Sequence, residues 1–232
     1  MPHGDPESAR LLELDMRAAR LYAAAPPVAG ALLARLSAHH PYSARHSLRV
    51  AVLAGEAAEA AGLERAAVER AAMLHDVGKI LVPVALLDAP RRLSEEEMDE
   101  LRPHAALGAE MLVEAGIPEH AEAARHHHER FDGEGYPDGL KGEEIPRVAR
   151  LLALCDSAEA MLAAERRWQA RRSPAEVLAL LEAEAGTQFD PELTLAFSAA
   201  YRALLLAPRP ELQPLESAAP DAQPGPDPEL AL

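Results

Sequence analysis

Seven side chains of the kinds that ligate transition metals are strung through the middle of this sequence: His46, His75, Asp76, His104, His127, His128 and Asp156. Buried imidazoles and carboxylates are costly unless paired, hydrogen-bonded or metal-bound, so seven converging on one place would be hard to satisfy without an ion. Imidazole and carboxylate donors without cysteine suit Mn, Fe, Zn, Ni or Co rather than Ca, and do not choose among them. With three or four protein ligands per ion, positions stay open for water and substrate. Two ions about 3.5–4 Å apart can clamp a phosphodiester and hold a hydroxide for in-line attack at neutral pH. The chemistry implied is metal-assisted hydrolysis of a phosphoester.

Helical periodicity must bring these groups together. A helix over about 43–61 places His46, Val50, Leu53 and Ala57 on one stripe. A second from about 64 aligns Val68, Ala72 and His75, and Gly78 is expected to stop it. Ser94 and Glu97 form a capping box for a helix carrying Leu101 and His104, with a break or kink at Pro103. After Pro118 a helix aligns Ala121, Ala124 and His128. Neighbours on a helix diverge by about 100°, so His127 needs a helix end, which the glycine-rich turn from Asp132 supplies. Pro146 opens a helix that leads to Asp156, and Ser173-Pro174-Ala175-Glu176 opens another. Residues 5–25 and 28–38 read as two further helices, separated at Pro26-Pro27. The expectation is an all-α bundle with a metal centre in its core.

Composition sets outer bounds. Alanine and leucine dominate the 232 residues, and no run of β-branched residues suggests a strand. A formal charge of −15 argues against DNA or RNA binding, which needs a broad basic surface. It leaves room for a small anionic substrate, because metals and a few cations build a local field. The single cysteine, Cys155, fits a reducing cytosol, no uncharged apolar run approaches a membrane span, and Asp5, Glu7, Glu13 and Asp15 stand where a basic leader would. A cytoplasmic protein is expected.

The lettering resembles the HD-GYP family of HD-superfamily phosphohydrolases over roughly residues 42–205. His75-Asp76-Val77-Gly78-Lys79 is similar to HD-x-G-K, and His127-His128-Glu129-Arg130-Phe131-Asp132-Gly133-Glu134-Gly135-Tyr136-Pro137 to HHE-x-x-DG-x-GYP. His46-x-x-Arg49-Val50, His104 with Gly108, Arg150 leading to Asp156, and Gly186-x-x-Phe189-Asp190-Pro191 continue it. The resemblance implies a cyclic di-GMP phosphodiesterase giving pGpG or GMP by attack of a metal-bridging hydroxide. Fe or Mn are the favoured ions, with Zn, Ni or Co as alternatives. It implies Asp76 bridging two ions, with His46, His75 and Asp156 on one and His104, His127 and His128 on the other. Asp76 and Lys79 would be the catalytic pair, and Lys79 and Arg166 would touch substrate phosphate, although the lettering around Arg166 departs from the family's by one residue. Lys141 follows the GYP turn, as a substrate contact or a surface residue; Lys79 and Lys141 are the only lysines.

Some family members carry a glutamate four residues before the first histidine that helps hold a third metal. Tyr42 stands there, so two metals are expected. Asp132, Gly133, Gly135, Tyr136 and Pro137 read as a structural turn, with Tyr136 buttressing the site or meeting a GGDEF-type partner. Glu129 is expected to orient a ligating histidine. His3, His39, His40, His120 and His126 read as surface or capping residues. The organisation expected is an N-terminal helical extension (1–40) packed on the core or supporting a homodimer, a catalytic domain (41–206), and a Pro/Ala-rich disordered tail (207–232). Two rival functions remain: hydrolysis of another cyclic dinucleotide or nucleotide, and a non-catalytic module that binds a nucleotide or a GGDEF-type protein.

Overall fold

The computed structural model describes residues 6–163 and 172–207, with side chains from residue 9. Their helices are α1 (Pro6–Ala23), α2 (Pro27–His39), α3 (Pro41–Ala58), α4 (Arg65–Leu74), α5 (Val84–Leu87), α6 (Glu95–Leu101), α7 (His104–Glu114), α8 (Ala121–His126), α9 (Arg147–Ala163), α10 (Pro174–Ala183) and α11 (Pro191–Tyr201). Among the described residues the sole β-type pairing is an isolated parallel bridge between Ala185 and Phe189. The all-α expectation holds.

Helix starts follow the local chemistry. Proline stands in the first turn of α2, α3, α10 and α11, where its missing N–H costs nothing. His40 caps α3 by accepting from the Ser43 amide at 3.3 Å, as its capping reading anticipated. Ser94–Glu97 and Ser173–Glu176 both close capping boxes. The break at Pro103 is real: α6 ends at Leu101 and α7 begins at His104.

Helix α3 is the axis of the core. Val50, Ala51, Leu53, Ala54, Ala57 and Ala58 are buried along it, and their small size lets α1, α2, α4, α9 and α11 pack close. Leu14 and Ala18 of α1, with Ala29, Leu32 and Leu33 of α2, sink into that same core. Fully burying one such leucine is worth about 1.5–3 kcal/mol. The first two helices therefore pack on the core. No helix among the described residues is long and apolar enough to cross a membrane.

Gly78 has a different role from the one expected. Helix α4 ends at Leu74, and Gly78 lies inside the following 3-10 turn, Val77–Leu81. A Cβ on Gly78 would stand 2.0 Å from the His104 carbonyl oxygen and 2.7 Å from the Gly108 amide. Bare backbone is required there because the turn after Asp76 lies directly on the start of α7.

Candidate metal centre

The seven expected ligands arrive from five places in the fold. His46 comes from α3, His75 and Asp76 from the turn that ends α4, His104 from the first residue of α7, His127 and His128 from the turn that ends α8, and Asp156 from α9. Three of the histidines are fixed by one device. The Nδ1–H groups of His75, His104 and His127 donate to the carbonyls of Ala72, Leu101 and Ala124, each three residues back and each at 2.7 Å. Helix-end carbonyls are free to accept such bonds. With Nδ1 protonated, each ring turns an Nε2 lone pair inward.

Asp76 lies between two groups of rings. Its Oδ2 is 3.4 Å from His75 Nε2 and 3.8 Å from His46 Nε2. Its Oδ1 is 3.3 Å from His104 Nε2 and 3.7 Å from His127 Nε2. His128 Nε2 stands 3.2 Å from His104 Nε2, and Asp156 Oδ1 stands 2.8 Å from His46 Nε2. With metal–ligand bonds of about 2.1 Å, adjacent donors lie roughly 3.0–3.6 Å apart, so these spacings of 2.8–3.8 Å are within a few tenths of an ångström of those a shared ion on each side requires. Asp76 Oδ1, His75 Nε2 and His127 Nε2 are buried without any hydrogen-bond partner, which is the condition a metal relieves. The chain thus holds two His/Asp clusters able to bind metal, Asp76-His104-His127-His128 and His46-His75-Asp76.

Electrostatics separate the two sides in the metal-free protein. Burial would lift the Asp76 carboxyl, but Lys79, followed by His75 and His104, holds it well below the carboxylate range. Burial also opposes ionisation of Asp156, and His46 outweighs it. Burial pushes His127 well down, and burial with the neighbouring His104 pushes His128 down to about 3, so both rings are neutral and ready to donate a lone pair. For His46, burial lowers the value, but Glu159 and Asp156 raise it to about 10.

Glu159 stands where the family's D-x-x-D-A lettering has its second aspartate, and sequence reasoning assigned it no role. Its Oε2 accepts from His46 Nδ1 and its Oε1 from Arg49 Nη1 at 3.2 Å. The signal available was its position, one helical turn beyond Asp156 on the same face. Glu129, expected to orient a ligating histidine, does something else. Its Oε1 accepts the amides of Asp138 (2.7 Å) and Gly139 (3.1 Å), so it fastens the GYP turn. Gly135 is needed there because a Cβ would fall 2.3 Å from the Arg130 amide, and Gly133 is at φ +87°. Asp132 accepts from Arg130 and from the Glu134 amide, and Tyr136–Pro137 is cis. Tyr136 stacks on His128 at 4.8 Å, and Tyr42 stacks on His46 at 6.2 Å.

Above the ligands opens a cavity of about 400 Å³, lined on the ligand side by His46, His104, His128 and Asp156. Tyr42, Tyr136 and Lys79 also line it, and Lys79 donates to Asp76 Oδ2. Arg91 and Arg92, which sequence reasoning did not select, stand on its wall in the loop before α6. Arg91 is paired with Glu97 at 2.6 and 2.8 Å. Lys141 does not line the cavity; its stem packs on Gly133. Arg166 lies outside the described residues. His120 and His126, read as surface or capping residues, are in fact buried.

A helical bundle closing on paired His/Asp clusters beneath an open pocket defines a helical domain with clusters able to hold metal. The family model for the HD domain matches residues 31–193, and the chain belongs to that family. It is 43% identical over 149 residues to the cyclic di-GMP phosphodiesterase response regulator RpfG of Xanthomonas campestris, covering 62% of this chain and 39% of that protein. It is 38% identical over 177 residues to the 3'3'-cGAMP-specific phosphodiesterase 3 of Vibrio cholerae, covering 75% of this chain and 38% of that one. The chain thus spans about two fifths of the length of these curated relatives. The fold matches the HD domain of the phosphodiesterase PgpH from L. monocytogenes, solved with cyclic-di-AMP, at a TM-score of 0.55 and 22% identity, covering 75% of this chain and 94% of that one.

Proposed function

We propose that this protein is a bacterial, cytoplasmic, metal-dependent phosphodiesterase that opens cyclic di-GMP to pGpG or GMP. The observation that carries the reading is the position of Asp76, one oxygen toward each histidine group, buried beneath a pocket lined by His46, His104, His128 and Asp156 with cations on its walls. His46, His75 and Asp156 would hold one divalent ion, His104, His127 and His128 a second, and Asp76 both. Fe or Mn is preferred, and Zn, Ni and Co suit the same donors. Bound there, the ions would supply Lewis acidity and a nucleophile at neutral pH.

The chain's own residues do the rest. Lys79 neutralises Asp76 and faces the cavity, where it meets charge developing on a phosphate. Arg92, which lines the same cavity, would take the second phosphate of a cyclic dinucleotide. Leu86, Leu87, Leu93 and Met98 give the pocket an apolar side against which a base can lie. Tyr136 holds the His128 ring by stacking. Glu159 holds His46 by its hydrogen bond.

One relative favours a second substrate, since it is named for 3'3'-cGAMP and covers more of this chain than RpfG does. The test is anaerobic incubation with Mn(II) or Fe(II) and each cyclic dinucleotide in parallel, with products separated by chromatography. Conversion of cyclic di-GMP that disappears in the His75→Ala/Asp76→Ala variant supports the proposal. Conversion of 3'3'-cGAMP alone moves the assignment to that substrate. Tight binding without turnover under every metal condition makes the domain a nucleotide or GGDEF-partner module.

A further inference from the structure

A third group of metal-type donors lies outside the Asp76 clusters. His126, the last residue of α8, precedes His127 and is turned from it by about 100° around the helix axis. Its ring is 6% exposed. Nε2 lies 3.3 Å from Glu122 Oε2, one turn earlier. Nδ1 points the other way, 3.5 Å from Asp138 Oδ2 and 3.9 Å from Glu129 Oε1, and makes no hydrogen bond. Glu129 Oε2 is buried and also makes none.

The orphan Nδ1 of His126 is aimed at Asp138 Oδ2 and Glu129 Oε1. The donor atoms of His126, Glu129 and Asp138 all lie within 4.8 Å of one another. Around them are the carboxylates of Glu122, Glu129 and Asp138, and one guanidinium, Arg125, which clasps Asp138 through two bonds of 2.7 Å. A buried carboxylate oxygen without a donor is costly, and here local negative charge exceeds positive.

We propose that His126, Glu129 and Asp138 form a separate site for one divalent first-row cation, of the Zn(II) or Mn(II) class, which clamps the GYP turn to the end of α8. One imidazole with two carboxylates selects that class over Ca. The 3.5 Å separation suits donors about 2.1 Å from a common four-coordinate ion, and the 3.9 Å one would close by a few tenths of an ångström on binding. The surroundings match what such sites require. Glu122 beside Nε2 favours the proton there and Nδ1 as the lone pair, while Arg125 and the amides of Asp138 and Gly139 orient the two carboxylates. Asp138, with a third of its side chain exposed, provides the way in. The ion would stabilise the turn that carries Tyr136, and it takes no part in bond breaking.

The test titrates the full chain with Co(II) and follows the visible absorption of four-coordinate cobalt together with the number of equivalents bound. His126→Gln and Asp138→Asn should each lose one equivalent relative to the parent. The same loss should appear in a His75→Ala/Asp76→Ala background, where the central clusters are crippled. Asp138→Asn changes an accessible residue and so serves if His126→Gln fails to fold. Unchanged equivalents in the folded variants overturn the site. Loss of ions on His75→Ala/Asp76→Ala alone bears only on the central clusters, so failure of the two readings is distinguishable.

Discussion

Asp15 grips Arg49 with both carboxylate oxygens, at 2.7 Å to Nε and 2.9 Å to Nη2. Asp15 lies on the first helix, and Arg49 lies one turn beyond His46 on α3. Because Arg49 also donates to Glu159, and Glu159 accepts from His46, an unbroken line of charged contacts runs from α1 into the candidate metal centre. Bidentate guanidinium–carboxylate pairs combine strength with fixed geometry.

Two substitutions along that line should differ in cost. Arg49→Ala takes one of the two partners of the buried Glu159 and leaves its Oε1 without a donor, which should cost about 3 kcal/mol. Asp15→Ala removes a carboxylate that is partly in water, so roughly 1–2 kcal/mol is expected after allowing for solvent screening. Urea denaturation of the metal-free protein measures both. An Asp15→Ala cost equal to that of Arg49→Ala would show that the line does not transmit through Glu159.

Asp76 reaches both clusters, whereas His46 and His128 each belong to one. Asp76→Asn should therefore weaken binding of both equivalents of the central clusters, while His46→Ala and His128→Ala should each weaken one. Glu159→Gln should act as a milder version of His46→Ala, lowering affinity about 10–100-fold, as loss of a ligand's orienting partner does. Competition against a chelator, with metal counted per chain, reads all four. Equal loss of both equivalents in every variant would deny Asp76 its shared position.

Much of this was legible because identity and period agree. The ligands sit on apolar helical stripes or at helix ends, Pro103 marks a break between helices, and the two capping boxes fix where helices start. What was hidden depends on distant partners. Glu159 is readable as an acid one turn past Asp156, but its partner His46 is 113 residues away. Glu129 was assigned to a histidine because it adjoins one, yet the nearby loop folds back and offers it two amides. Arg91 and Arg92 look like surface arginines until the loop before α6 is seen to wall the cavity.

Gly78 supplies a steric prediction. Its missing Cβ would meet backbone atoms of His104 and Gly108, which cannot rotate aside. Gly78→Ala should cost roughly 3 kcal/mol or more, at or beyond the usual range for overpacking. Gly30→Ala is the control, since nothing lies within 4 Å of that position, and it should be neutral or stabilising by about 0.4–1 kcal/mol. Similar denaturation midpoints for the two variants would count against the close approach of the two turns.

His120 gives a pH dependence independent of the candidate ligands. Burial lowers its pKa, Glu119 partly offsets this, and Arg70 adds to the lowering. The folded state therefore takes up the proton later than the unfolded chain, whose value is near 6.5. Above that pH the group has no differential effect; as pH falls from 6.5 toward the folded value, the unfolded state binds more protons and stability is lost. The stability gap between wild type and His120→Gln, measured in chelated protein, should shift against wild type between pH 7.5 and 5.5. A constant gap would contradict the lowered value.

Lys79 and Arg92 both face the cavity but differ in what they touch, and kinetics should separate them. Lys79 contacts Asp76, so it acts where charge develops during the reaction. Removing such a group costs about 10²–10³ in kcat, and Lys79→Ala should show that loss with KM little changed. Arg92 lines the cavity without any contact to Asp76, so it would hold substrate and transition state alike. Its loss removes uniform binding, so Arg92→Ala should raise KM about tenfold at constant kcat. The reverse pattern would move Lys79 out of the chemistry and bring Arg92 in. Steady-state rates on cyclic di-GMP, with metal content matched between variants, decide between these assignments.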